Sequence, residues 1–342
     1  MIPAAPSPLQ PTKPHAPKPH RWQQLWREAV RDPRELLSLL GLDQAALAVS
    51  DDAAAQFPLR VPHGFVARMR HGDPHDPLLR QVLPLDAEMQ PMPGFSLDAV
   101  GDGAAKAADG VIRKYRGRAL LVTTGSCAVH CRYCFRRHFP YAEETAAAAG
   151  WREAIDLIRA DASIDEVILS GGDPWSLATA KLAELTDALA SVPHLKRLRV
   201  HTRLPVVLPE RVDEPLLTWL RALPWPVTVV LHANHASEFD FSVDEACARL
   251  RSTGATLLNQ AVLLRGVNDT VEALTALSER SFAAGVLPYY LHQLDRVQGS
   301  AHFEVSDQDA KRLHAASAAR LSGYLVPRLV REVAGDPGKR PL

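Results

Sequence analysis

The 342-residue sequence predicts an α/β fold built on a parallel sheet, an open or partial barrel preceded by an N-terminal helical extension. Two observations carry this expectation. From residue 119 onward, short apolar, β-branched runs alternate with helical stretches, the pattern of βαβ units whose crossovers make neighbouring strands run parallel. Polar motifs rich in Gly, His, Asn and Asp fall at the carboxyl ends of those runs, where parallel α/β folds place their chemistry.

Residues 1–20 carry Pro3, Pro6, Pro8, Pro11, Pro14, Pro17 and Pro19 with few large apolar residues, and read as a disordered tail. The extension, 21–110, opens with amphipathic helices at 22–30 and 33–40, the second ended by Gly41. Its remainder, 57–110, reads as irregular, with loop signals at His71-Gly72-Asp73-Pro74 and Pro91-Met92-Pro93-Gly94. The barrel, 111–300, has strand-like runs at 119–124, 166–170, 195–201, 227–232, 255–264 and 288–294. Helical stretches at 146–160, 177–189, 214–223, 243–252 and 271–284 separate them. Six strands fall short of the eight that close a full barrel. A C-terminal helix and a Gly/Pro-rich segment complete the chain over 301–342.

Composition narrows the partners. Lys plus Arg and Asp plus Glu number 39 each, so no net charge marks the chain for nucleic acid or an anionic membrane. No apolar run reaches spanning length. A small molecule is the expected partner. Four cysteines without a signal-peptide core point to the reducing cytoplasm. Cys247 stands alone in a helical pattern, as a small buried residue.

The other three, Cys127, Cys131 and Cys134, have the spacing C-x₃-C-x₂-C. Three thiolates can hold three irons of a four-iron cluster and leave the fourth without a protein ligand. Spacing alone also admits a zinc ion with His130 or His138 as fourth ligand. The spacing resembles that of the radical S-adenosylmethionine (SAM) enzymes. That resemblance implies a [4Fe-4S] cluster with SAM on its open iron and a (β/α)₆ partial barrel. Ser170-Gly171-Gly172-Asp173-Pro174, after the second strand, reads as a glycine turn with Asp173 capping the next helix. Its glycines also permit close backbone approach to a ligand. In radical SAM proteins this segment binds the SAM amino group, which implies that role for Ser170, Gly171, Gly172 and Asp173, with His232 and Gln260 on the same side.

Further motifs narrow the resemblance. They are 115–123 before the cysteines, Cys134-Phe135-Arg136-Arg137 after them, 202–209, His232-Ala233-Asn234-His235, 259–269 and Pro288-Tyr289-Tyr290. Over residues 67–342 the chain resembles the lysine 2,3-aminomutase family. The resemblance implies an isomerase that moves an α-amino group to the β-carbon, turning L-lysine into (R)-β-lysine with SAM, the cluster, pyridoxal 5′-phosphate (PLP) and an external electron donor. Lys339, in a Gly/Pro segment, matches the lysine that carries PLP. Arg118, Lys114 and Tyr115 match the PLP surroundings, although Lys114 replaces an arginine and loses its bidentate fork. Arg136 matches the residue that binds the substrate carboxylate. Asp295 and Glu332 match two acids for the distal ammonium, Glu332 being one methylene longer, and Tyr289 lies beside them.

Departures select a branch. Thr270 stands where the larger clostridial-type enzymes have a cysteine, and His292 where they have the second tyrosine of a pair. Short length, Leu291-His292-Gln293-Leu294-Asp295 and the helical N-terminal segment together resemble the short branch that supplies β-lysine for elongation factor P, implying a link to that factor and its lysyl-transferring ligase. An aminomutase for another amino acid, a catabolic lysine enzyme, and a non-enzymatic zinc or iron–sulfur protein are the alternatives.

Overall fold

The computed structural model describes residues 20–43, 47–141 and 151–342. The expected disordered tail, residue 20 apart, and the start of the helix expected from 146 lie outside the described residues. The extension contributes α1 (Arg21–Arg27), α2 (Pro33–Leu39), α3 (Asp51–Gln56), α4 (His63–Val66) and α5 (Pro77–Arg80). Three of these begin where a side chain satisfies free backbone donors. Asp32 accepts from Arg34 N, Ser50 from Ala53 N, and Asp76 from both Leu78 N and Leu79 N. The stretch expected to be irregular therefore contains two single-turn helices, too short to show helical periodicity.

The last residues of the extension form β1 (Lys106–Ala108), and beyond it the chain forms β2 (Val111–Ile112), β3 (Arg118–Thr124), α6 (Arg152–Ala160), β4 (Glu166–Gly171), α7 (Thr179–Ala190), β5 (Arg197–Thr202), α8 (Leu204–Val207), α9 (Glu214–Ala222), β6 (Val227–Leu231), α10 (Phe241–Arg251), β7 (Thr256–Val262), α11 (Val271–Ala283), β8 (Leu287–His292), α12 (Asp307–Ala318), β9 (Arg328–Arg331) and β10 (Arg340–Pro341). The ten strands lie in sequence order. Pairs from β3 to β9 are parallel, and β1, β2 and β10 pair antiparallel at the two ends. The six expected strands form the partial barrel. β9 adds a seventh parallel strand that the sequence did not announce, because its four residues Arg-Leu-Val-Arg are half charged. Every residue of β4 is buried, as befits a parallel strand covered on both faces.

Leu36, Leu37, Phe65 and Leu78 of the extension share one apolar core with Leu121, Leu169 and Val200 of the barrel strands. The extension is thereby fixed against the barrel beside the loop after β3. Cys247 is buried on α10, as expected. Among the described residues no helix is long and apolar enough to cross a membrane.

Candidate active site

The cysteine loop leaves β3 and is clamped by the extension. Trp26 Nε1 and Arg60 Nη1 both donate to the Cys127 carbonyl at 3.2 Å. His130 N donates to Arg60 O at 3.0 Å, and Arg132 N to Gln81 O at 2.9 Å. Arg132 is wholly buried; its guanidinium meets both oxygens of Glu88, at 2.8 and 2.6 Å, and the carbonyls of Phe57 and Ala53. A buried charge of this kind is tolerated only when its donors are matched.

The glycines at the end of β4 pack directly against this loop and also line the cavity beside it. Gly171 has φ +118°, and a Cβ there would lie 2.6 Å from Thr124 O; a Cβ on Gly172 would lie 2.5 Å from Ser126 O. Gly172 N donates to Thr124 O at 2.7 Å and Asp173 N to Ser126 O at 2.8 Å. The Asp173 carboxylate accepts from Thr202 Oγ1 and from the backbone of Trp175, Arg203 and Leu204. Burial pushes it up to about 6 against those four donors. Asp173 thus ties the ends of β4 and β5 together, with its acceptor capacity engaged by protein groups.

A cavity of about 560 Å³ runs from the cysteine loop through the barrel to the C-terminal hairpin. Cys127, Cys131 and Cys134 line one end, with Ser170, His232, Gln260, Arg136, Asp295 and Lys339 also on its wall. Among the described residues, no three His, Cys, Asp or Glu side chains converge on a point where a single metal ion could sit. The histidines offered as zinc ligands each lie against a backbone carbonyl, His130 Nδ1 at Pro58 O (2.6 Å) and His138 Nε2 at Gln298 O (3.1 Å).

Lys339 reaches the cavity because β10 folds back on β9. The register pairs Arg340 with Arg331, which brings Lys339 opposite Glu332 although seven residues separate them. Lys339 Nζ and Glu332 are 2.9 Å apart, and Tyr115 donates its hydroxyl proton to Glu332 at 2.6 Å. Burial works against the charge on Glu332, but Lys339, the Tyr115 hydroxyl and Lys114 hold its carboxyl below the usual range. Lys339 Nζ also sits 5.6 Å from the Tyr290 ring. Glu332 therefore pairs with Lys339, a contact the sequence reading did not include, while facing the same cavity as Asp295.

Arg136 has a partner that the sequence reading missed. Its Nε meets Asp102 at 2.7 Å, and its Nη1 donates to Ser170 Oγ at 3.1 Å. Asp102 also holds Lys114 Nζ at 2.6 Å, and Lys114 is 3.6 Å from Glu332. Asp102 lies in a Gly-rich loop without periodicity, so no sequence signal marked it. Arg118 lies 5.1 Å over the Tyr115 ring, and the Tyr289 ring lies tilted by 39° against Tyr290 at a centroid distance of 3.9 Å.

Asp295 lies three residues beyond β8. Burial pushes its carboxyl up to about 7, with Lys339 opposing and Glu332 adding to the rise. Three histidines face the same space. Burial, with neighbouring cations, depresses His201 and His292 well below the usual range and His232 to about 3, so all three are neutral at pH 7. Gln260 Nε2 is 3.0 Å from His232 Nε2. His201 Nε2 and His292 Nε2 are buried with no hydrogen-bond partner among the described residues. His201 and Tyr290, like Asp102, were not read as site residues from the sequence.

No family model matches the chain. It is 46% identical over 329 residues to the L-lysine 2,3-aminomutase of Escherichia coli K12, covering 96% of each chain. It is 44% identical to that of Haemophilus influenzae, covering 97% of this chain and 98% of the relative. The enzyme of the same name from Clostridium subterminale is 30% identical, with 94% of this chain and 77% of the relative covered. A radical SAM methyltransferase structure from Sphaerobacter thermophilus overlays 65% of this chain and 68% of its own at 19% identity and a TM-score of 0.43, a likeness too slight to bear on the site.

Proposed function

The chain belongs to the L-lysine 2,3-aminomutase family, and on that footing we propose that it converts L-lysine to (R)-β-lysine inside the cavity that joins the three cysteines to Lys339. It is an isomerase. The observation that carries the reading is that cavity: the three cysteines at one end and Lys339 at the other line the same space.

The residues fit the cofactors this reaction requires. Three cysteine sulfurs are a soft donor set suited to an iron–sulfur cluster. The unpartnered nitrogens of His201 and His292 leave buried polar groups that a bound molecule would satisfy. When bound, the [4Fe-4S] cluster with SAM supplies a carbon-centred radical, and PLP supplies the π-system through which nitrogen moves.

Cys127, Cys131 and Cys134 hold the cluster. Ser170, His232 and Gln260, with the backbone of Gly171 and Gly172, form the SAM side, while Asp173 fixes the strand ends behind them. Lys339 attaches PLP covalently, and Arg118, Lys114 and Tyr115 surround it. Arg136 meets the substrate carboxylate. Asp295 faces the distal ammonium, with Tyr289 beside it; Glu332 orients Lys339. A carboxylate and an ammonium about 4 Å apart attract by about 4 kcal/mol at an effective dielectric of about 20. That favours a basic side chain over a neutral one. The enclosing barrel orients the reacting groups and keeps water from them.

Near full-length identity to two relatives of about this length, higher than to the longer clostridial enzyme, supports the short branch, in which we place the β-lysine in the service of elongation factor P and its lysyl-transferring ligase in the cytoplasm. An external donor supplies the electron. The test is anaerobic incubation with L-lysine, SAM, PLP and a reductant, with chiral analysis of the products. (R)-β-lysine is expected; rearrangement of another amino acid in its place, or no rearrangement by cluster-loaded protein, refutes the reading.

A further inference from the structure

One motif of the barrel rim has no part in the reaction above: Thr202-Arg203-Leu204, at the end of β5. Arg203 is buried, with 7% of its surface exposed. Its Nη1 lies 2.7 Å from Cys131 Sγ and 2.7 Å from the Tyr133 hydroxyl. Its Nη2 donates to Gln81 Oε1 at 2.7 Å and to Glu238 Oε2 at 2.9 Å. Asn234 Nδ2 closes the network onto Gln81 Oε1 and Tyr133. The guanidinium is thus held rigidly by side chains from separate segments, with one nitrogen aimed at a cysteine sulfur.

We infer that Arg203 is a positioning and tuning residue for the cluster, whose hydrogen bond to Cys131 Sγ raises the reduction potential. The inference rests on the reading of Cys131 as a cluster ligand. A thiolate-ligated cluster gains negative charge when it accepts one electron. A cation hydrogen-bonded to a ligand sulfur in a poorly hydrated site stabilises the reduced form more than the oxidised one. Cluster potentials are set by net charge and by hydrogen bonds to the sulfurs, and charge-assisted hydrogen bonds are about twice as strong as neutral ones. Glu238 opposes the effect but meets Arg203 through its other terminal nitrogen. The step concerned adds one electron from an external reductant such as dithionite, with no bond made or broken and no proton required.

The position is also tied to the rest of the site. Arg203 N donates to Asp173 Oδ2 at 2.7 Å, so the turn that aims the guanidinium is fixed by the carboxylate that also anchors the end of β4.

The test is anaerobic redox titration of the cluster, monitored by its paramagnetic resonance signal, in the wild type, Arg203→Gln and Arg203→Gln/Glu238→Gln. The double variant leaves no unpaired buried carboxylate if the single one folds poorly; because it also removes the opposing charge of Glu238, its potential is compared with that of Glu238→Gln. The expected result is a cluster content close to wild type in at least one variant and a potential lowered by a tenfold or larger change in the reduction equilibrium, about 59 mV for one electron. Arg203→Lys, which keeps the charge, should fall between. Arg203→Gln retaining the cluster at the wild-type potential, or the double variant retaining it at the potential of Glu238→Gln, overturns the inference, as does loss of the cluster from both with Arg203→Lys unshifted, since Arg203 would then be purely structural. Failure of the wild type itself to hold a four-iron cluster would instead overturn the assignment of the three cysteines.

Discussion

Replacing Asp295 with asparagine should make the protein more stable and a poorer enzyme at the same pH. Burial raises this carboxyl from 3.8 to about 7, a difference of about three pH units. At 1.36 kcal/mol per unit the full penalty for ionising it in the folded state is about 4 kcal/mol. Asp295 is only partly buried and faces a cavity wide enough for water, so about half of that, ~2 kcal/mol, is expected. The sign comes from proton counting. Between about pH 4 and pH 7 the folded protein keeps a proton that the unfolded chain has released, so stability falls as pH rises through that window. Asparagine cannot ionise. Asp295→Asn should therefore melt with the wild type near pH 4 and about 3 °C above it at pH 8, read by thermal unfolding before substrate is added. With the acid gone, kcat/KM for lysine should fall by about a thousandfold, from an attraction of about 4 kcal/mol, while SAM affinity stays within twofold. An offset in melting temperature that is the same at pH 4 and pH 8, or equal loss of lysine and SAM binding, would refute the reasoning.

Three other substitutions probe the surrounding framework. Lys339→Ala should abolish the absorbance band of lysine-linked PLP and let Glu332 titrate closer to the usual carboxylate range, both visible by spectroscopic titration. Gly172→Ala drives a methyl group to within 2.5 Å of Ser126 O, so the β4 turn and the cysteine loop must part. About 1–3 kcal/mol of stability and much of the iron should be lost, measured by denaturant unfolding and metal analysis. Arg132→Met leaves Glu88 buried with Arg137 as its remaining cation and should destabilise by about 3 kcal/mol, whereas Arg132→Met/Glu88→Gln should recover part of that loss in the same assay.

The parallel sheet was legible because β-branched runs alternating with helical stretches leave few other folds. The cysteine loop was legible because its ligands are close in sequence. The Glu332–Lys339 pair was not: each residue was noticed, but their contact depends on the register of a short polar hairpin. Asp102 was missed for a related reason, since its partners Lys114 and Arg136 come from other segments and only tertiary packing brings them together. The glycines at the end of β4 were read as a place of close approach to a ligand, and the structure adds a second neighbour, the backbone of the cysteine loop. A missing Cβ says that something comes near without saying whether it is a ligand or the chain itself.

The charges lining the cavity form a linked series: Arg136 to Asp102, Asp102 to Lys114, Lys114 to Glu332, and Glu332 to Lys339. Such a series turns binding into exchange. A carboxylate arriving at Arg136 competes with Asp102, which can lean further on Lys114, and a group bonding to Lys339 loosens its hold on Glu332. Each arrival passes a displaced charge along to a neighbour rather than stranding it in the interior. The affinity for a charged molecule then reflects the difference between two ion pairs and not the strength of one. A molecule with one charged end would disturb the series without completing the exchange, so selection favours ligands whose charges are spaced to match.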